Sequence, residues 1–373
     1  MERRLLQAMR RFFGRPGHGV DVDFYASSWI DEIWVRSTIA ACLARGLKLR
    51  LVLSGGPGAA PQALKDRYAA LGVSLIETSN IEELHKLRMR LVVTASSGIP
   101  RAFFGPSLRR FVHMPHSLVS LHMIYPGDAF DDYDVLFAAG PHHTREWELI
   151  RARHGLAPGL SVDVGYGKMD PLADVLKAAG PSKPQRHVLL APSWGEANLL
   201  RSMGPQLVAG LLAESLQVTL RPHPSFFLKQ EPELAATLEA AAGNPRFVLE
   251  TSTDIVQTAM LSADVLVTDY SGIAFEYAAL RHRPTVFVDL PKKVLNPDWQ
   301  EIASEPVEIA LRARLGAIAA CNLGDAMQAI LTAIEVPPPP EAIAAVVPDF
   351  LYEQAHVGER AAASLIALMK DLR

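Results

Sequence analysis

Three places in this chain combine residue types that can hold a phosphate or move a proton. The first is the turn Asp269-Tyr270-Ser271-Gly272, set in the stretch ADVLVTDYSGIAFEYAALRHRPTVFVDLP from Ala263 to Pro291. Ala263 to Thr268 reads as a strand, Ser271 as the cap of a helix running to about Leu280, and Pro284 opens a second apolar run. In an open parallel sheet, ligands bind beyond the carboxyl ends of the strands, where the next helix presents unpaired N–H groups and a positive dipole end. Gly272 lets a backbone come close, Ser271 can cap or donate to a phosphate oxygen, and Glu276, one turn on, could accept from ribose hydroxyls. A plain capped core helix would look the same.

The other two places carry histidines. In Phe111 to Ser117, FVHMPHS, a short strand should end in a loop bearing His113 and His116; in Leu220 to Pro224, LRPHP, a strand should deliver Arg221 and His223 between two prolines that fix the backbone. A further pair, His142 and His143 in PHHT, reads as a capping loop. Any one of these histidines alone is more simply structural. Two strand ends facing one another, with the Ser271 turn between them, would suit phosphoryl-linked group transfer. An imidazole with an ordinary pKa of about 6.5 takes the proton of an attacking hydroxyl, and cations meet the charge on a leaving phosphate. No His/Cys spacing supplies three metal ligands, and Asp21-Val22-Asp23 and Asp132-Tyr133-Asp134 match a metal-binding Asp-x-Asp only loosely. We therefore expect neither a required metal nor a cofactor.

The elements that must position these groups alternate along the chain. A helix is expected near Trp29 to Arg45, strands at Lys48 to Leu53, Val73 to Ile76 and Arg90 to Thr94, and a helix between the first two strands near Ala60 to Leu71. A second alternation follows, with strand-like runs at His187 to Ala191, Gln217 to Leu220, Arg246 to Leu249, Asp264 to Thr268 and Thr285 to Val288. Gly180-Pro181-Ser182-Lys183-Pro184 has linker composition. The expected domains are 18–180 on the acceptor side and 185–347 on the nucleotide-donor side, with a final helix in 348–373. The fold class is α/β, with two doubly wound Rossmann-like domains facing a cleft. Nucleotide-dependent transferases of the GT-B type, sugar epimerases and periplasmic binding proteins share that outline. Ser54-Gly55-Gly56-Pro57-Gly58 lacks the Lys-Ser/Thr pair of a P-loop and reads as a plain loop.

With 373 residues, 49% of them hydrophobic, there is material for two cores. The net charge of −3 gives no general case for nucleic acid. Cys42 and Cys321 read as buried thiols in a reducing compartment, and no apolar run reaches the ~20 residues of a membrane span, so a cytoplasmic location is expected. The first fifteen residues, MERRLLQAMRRFFGR, form a basic amphipathic pattern that suits an anionic membrane surface, peripheral and on the inner face of the cell membrane. Docking on the chain's own fold is the plainer use of such a helix.

LRPHP, the Ala263 to Val288 run, GYGKMDPL from Gly165 to Leu172 and HVLLAPSW from His187 to Trp194, taken in order, resemble the motifs of the CDP-glycerol glycerophosphotransferase family of teichoic acid and capsule synthesis. The resemblance runs from about Phe111 to Pro291. It implies attack by an acceptor hydroxyl of a glycan or lipid-linked glycan on the polyol-side phosphate of a CDP-linked donor, with CMP leaving. It also implies two essential histidines: His116 as general base and His223 on the diphosphate or leaving phosphate. Ser193, Arg221, Thr268, Asp269, Ser271, Gly272 and Glu276 would form the donor site, with His113 as a rival on the acceptor side. Where the family usually has Trp-His-Gly, this chain has Pro115-His116-Ser117, and the family's second serine after Tyr-Ser is Gly272. A nucleotide-sugar glycosyltransferase, a UDP-sugar 2-epimerase and a nucleotide-binding protein without turnover remain open alternatives.

Overall fold

The chain builds two parallel sheets, described by a computed structural model over residues 19–179, 184–251, 258–303, 305–353 and 355–372. The basic N-terminal segment and residues 180–183 of the expected linker lie outside the described residues. The first sheet consists of β1 (Val22–Ala26), β2 (Leu49–Ser54), β3 (Ser74–Thr78), β4 (Leu91–Thr94), β5 (Arg110–His113), β6 (Val135–Ala138) and β7 (Leu160–Asp163), in the order β3-β2-β1-β4-β5-β6-β7. The second consists of β8 (His187–Leu190), β9 (Gln217–Leu220), β10 (Phe247–Leu249), β11 (Val265–Thr268), β12 (Thr285–Asp289) and β13 (Gly316–Ala320), in the order β10-β9-β8-β11-β12-β13.

Central strands are mostly apolar because helices cover both faces of each sheet, with the buried Asp23 and Arg50 of β1 and β2 paired to each other. β4, β6, β8 and β11 are buried at every position. Registers are equally regular: Phe24 pairs with Leu51 on one side and Val93 on the other, and Val188 with Val218 and Val265. In each sheet the strand order reverses once, between β1 and β4 and between β8 and β11. Such reversals leave an open crevice at the strands' carboxyl ends.

The final helix, Val357–Lys370, packs on helix Glu32–Ala44 of the first sheet's layer, and Val357, Ala361 and Leu365 share a core with Phe24 and Leu51. Gly358 makes this close approach feasible, since a Cβ there would fall 2.4 Å from the Ser37 carbonyl oxygen. The Asp170 carboxylate accepts from the Val357 and Gly358 N–H groups at 3.1 and 2.9 Å, a favourable anion at a helix start.

A third apolar cluster joins the halves, running from Leu118 and Tyr125 to Phe275 and Phe350. Within it the loop between β5 and β6 is held by carboxylates from both sides: Glu308 takes the Ser120 N–H at 2.9 Å and hydroxyl at 2.7 Å, and Glu146 takes the Leu121 N–H at 2.6 Å. Burial pushes the Glu308 carboxyl up to about 7, against the pull of the Ser120 bonds. A group raised in this way favours folding below its unfolded pKa, and that contribution disappears as pH rises through about 7. Glu308→Gln keeps partners for both Ser120 groups without a charge. It is expected to raise unfolding free energy at pH 8 by about 1–3 kcal/mol and to change it little at pH 5, as denaturant titrations at the two values would show.

Two expectations need correcting here. His142 and His143 do not sit in a capping loop before the helix; they are buried in the first turn of helix Pro141–Arg153 itself, with ring centroids 3.9 Å apart. Burial lowers the pKa of both imidazoles. Of the cysteines, Cys42 is buried, with its thiol pushed up to about 12, but Cys321 is exposed. The Asp-x-Asp matches are structural: Asp23 pairs with Arg50 at 2.5 Å and Asp134 with Arg101 at 2.6 Å.

Candidate active site

Between the two crevices lies a cavity of about 450 Å³ lined from both halves. His116, Ser193, Arg221, His223, Ser271, Gly272 and Glu276, all anticipated from the sequence, lie on its wall. His116 follows β5 on the loop that Glu308 and Glu146 clamp. Its Nδ1 donates to the Ala95 carbonyl at 2.8 Å, and because a carbonyl can only accept, the ring proton is on Nδ1. Nε2 therefore carries a lone pair, which takes a 3.2 Å bond from the Tyr125 hydroxyl. That is the form a general base requires.

On the opposite wall, β9 ends in Arg221 and His223. The Ser225 N–H donates to His223 Nδ1 at 3.2 Å, so the proton of the neutral ring is on Nε2. His223 is open to the cavity yet walled by protein, and desolvation, with Lys293, Arg221, His116 and Lys229 adding positive charge, pushes its pKa down to about 4. Neutral His223 is thus a hydrogen-bond donor at physiological pH. Arg221 pairs with Glu250 at 3.8 Å.

The β8 and β11 loops form the phosphate-sized part of the crevice. Asp269, only 1% exposed, accepts from Ser193 N–H and Leu199 N–H, each at 3.0 Å, and Thr268 donates to the Ala191 carbonyl at 2.6 Å. Both were expected to touch the donor; instead they stand behind the wall and shape the loop that carries Ser193. Ser193 receives a bond from Lys293, whose ammonium also lies 4.8 Å above the Trp194 ring. Burial brings the Lys293 pKa down to about 8. Ser271 lines the cavity but does not cap helix Ile273–Arg281; Gly272 is the N-cap residue and makes no side-chain bond. The helix nonetheless opens on the cavity with its positive dipole end, although the N–H groups of Ala274 and Phe275 already bond to the Ser271 and Gly272 carbonyls at 3.2 and 3.1 Å.

Gly272 also packs closely against the loop after His116: a Cβ there would lie 2.3 Å from the Ser117 hydroxyl oxygen, so the small residue at 272 makes room for the Ser117 side chain.

Glu276 reaches the cavity through a network that spans the halves. Lys168 Nζ donates to Glu276 Oε2 at 2.7 Å, and the Tyr166 hydroxyl stands 3.0 Å from Oε1 and 2.7 Å from the His116 carbonyl, while accepting from Trp34 Nε1 at 2.7 Å. His113 is 1% exposed and packs against Phe130 and Tyr133, away from the cavity, and burial lowers its pKa. It does not rival His116 as a base in this arrangement. Motif reading missed Asp31, Trp34, Tyr125, Lys168, Trp194 and Lys293. Lys168, inside the GYGKMDPL motif, and Trp194, at the end of HVLLAPSW, carried a usable signal.

Residues 128–292 match the family described as CDP-Glycerol:Poly(glycerophosphate) glycerophosphotransferase. The resemblance to the glycerophosphotransferase family holds. The matched region carries Lys168, Ser193, Arg221, His223, the Ser271 turn and Glu276, whereas His116 lies before it. Among solved structures, wall teichoic acid polymerase TagF is similar over 100% of this chain and 96% of that chain, with a TM-score of 0.61 at 11% identity. A UDP-N-acetylglucosamine 2-epimerase from Rickettsia bellii (TM-score 0.57, 13% identity, 95% of this chain and 97% of that one) and UDP-GlcNAc 2-epimerase from Neisseria meningitidis (0.55, 10%, 94% and 100%) share the architecture. Likeness at such identities speaks for the fold, two GT-B-like α/β domains. Among curated proteins none matches by sequence.

Proposed function

We propose that this glycerophosphotransferase-family chain transfers a polyol phosphate from a CDP-linked donor to a hydroxyl of a glycan or glycolipid. The observation that carries the reading is the pairing, across one cavity, of a histidine whose Nδ1 holds the ring proton, its Nε2 bonded to the Tyr125 hydroxyl, with a crevice lined by Arg221, neutral His223 and a helix start. The acceptor oxygen attacks the polyol-side phosphorus as its proton passes to His116 Nε2. The bond from that phosphorus to the bridging oxygen breaks, and CMP leaves with the electron pair. Arg221, His223 Nε2–H and the Ser193 and Ser271 hydroxyls meet the charge developing on the phosphates, an electrostatic role that protein donors fill well in a water-poor site. Glu276 receives the ribose hydroxyls, in competition with Lys168.

Phosphorus NMR of the purified protein with CDP-glycerol, CDP-ribitol or nucleotide sugars, with and without glycolipid acceptor and in EDTA, tests this. Acceptor-dependent CMP with a new phosphodiester resonance is expected, undiminished by EDTA. Nucleoside diphosphate from a sugar donor would replace the proposal with glycosyl transfer.

A further inference from the structure

The cavity wall from the first sheet carries a carboxylate beside the base, and this bears on what the acceptor is. The wall from the second sheet carries Arg221 with Glu250, Glu276 and neutral His223, and Lys293 is bonded behind it to Ser193. On the wall from the first sheet, the charged side chains among the described residues are Asp31 and Lys168, and Lys168 is committed to Glu276. Asp31 sits at the crevice between β1 and β4, in the short helix Trp29–Asp31 that follows β1. All its protein bonds fall on one oxygen: Oδ2 accepts from Ser27 Oγ at 2.7 Å, Ser96 Oγ at 2.9 Å and Ser28 N–H at 3.3 Å. No bond from the described residues reaches Oδ1. Ser28 Oγ, which accepts from Ile30 N–H at 3.3 Å, keeps its own proton to donate. Half-buried Trp34 lies beside them, its ring centroid 5.5 Å from that of His116.

We infer that the pocket formed by Ser28, Asp31 and Trp34 beside His116 receives the neutral hydroxylated end of a sugar or polyol, and disfavours a chain already bearing phosphodiesters. The inference rests on the transferase reading and specifies its acceptor. A carboxylate oxygen and a hydroxyl make a matched acceptor and donor for vicinal hydroxyls, and an indole covers the apolar face of a pyranose. A phosphodiester placed one polyol unit from the attacking oxygen would instead meet the Asp31 carboxylate with no free cation on that wall. Like charges brought together in this way suppress wrong partners. The enzyme would thus place a first unit on a neutral glycan.

The test uses the full chain with whichever donor the phosphorus NMR shows to release CMP and two acceptors sharing one alkyl anchor, an octyl N-acetylglucosaminide and an octyl-linked tri(glycerol phosphate). Initial CMP release should give kcat/KM at least about tenfold higher for the neutral glycoside. Asp31→Asn should narrow that ratio from both sides, by raising KM for the glycoside and lowering it for the phosphodiester. Equal or reversed preference in the wild-type protein overturns the inference while leaving the transferase reading intact. Absence of CMP with both acceptors and every donor overturns both.

Discussion

Replacing His116 by alanine is expected to lower kcat by about 10²–10⁴-fold, the usual worth of a positioned general base. The Ala95 carbonyl orients the ring and leaves Nε2 as the only nitrogen able to take a proton, so no tautomer change can substitute for it. Donor affinity should move little, because His116 stands on the first-sheet wall while Arg221, His223 and the Ser271 turn stand on the other. Pre-steady-state turnover and CDP titration calorimetry on the same variant separate these two quantities. A large loss of CDP affinity with unchanged chemistry would reassign His116 to binding. Tyr125→Phe serves as a control on geometry: it removes the 3.2 Å bond to Nε2 but not the lone pair, so kcat should survive largely intact.

Lys168→Met is expected to destabilise the protein by about 3 kcal/mol, since breaking one side of a buried ion pair strands the other charge. The side chains of Lys168 and Glu276 are 8% and 7% exposed, and they belong to opposite halves of the molecule. Adding Glu276→Gln to Lys168→Met should restore much of the loss, because the stranded carboxylate is then gone. Urea unfolding of the two single variants and the double variant gives the coupling energy directly. A coupling near zero would mean that water in the cavity screens the pair. The Tyr166 hydroxyl, bonded near both Glu276 and the His116 backbone, links the same pair to the base. Lys168→Met should therefore also reduce kcat.

Much of this architecture was legible in the chain. Apolar runs at His187 and Asp264 read as parallel strands because β8 and β11 carry one polar residue each and are buried at every position, as strands covered on both faces are. β13, with sequence GAIAA, was not legible: alanine and glycine carry little strand preference, and its place comes from pairing with β12. Ser271 has the right side chain for a cap, yet the N-cap residue is Gly272, which has no side chain to bond the helix start.

For the site, local sequence determined which residues have the chemistry to act and that each stands at a strand end: His116 after β5, Arg221 and His223 after β9, Ser271 after β11. Strand periodicity and turn residues are short-range properties, and they suffice for that much. Tertiary structure alone decided which candidates face the cavity. Thr268, Asp269 and His113 have suitable side chains but are held away from the cavity, Thr268 and Asp269 by bonds to the loop after β8 and His113 by packing on Phe130 and Tyr133. It also brought Asp31, Trp34 and Lys168 to the site across separations that no motif spans: Lys168 meets Glu276 over 108 residues and Trp34 meets Tyr166 over 132. Pairings at such distances follow from how two sheets are wound and docked, and a burial pattern in one dimension carries no record of them.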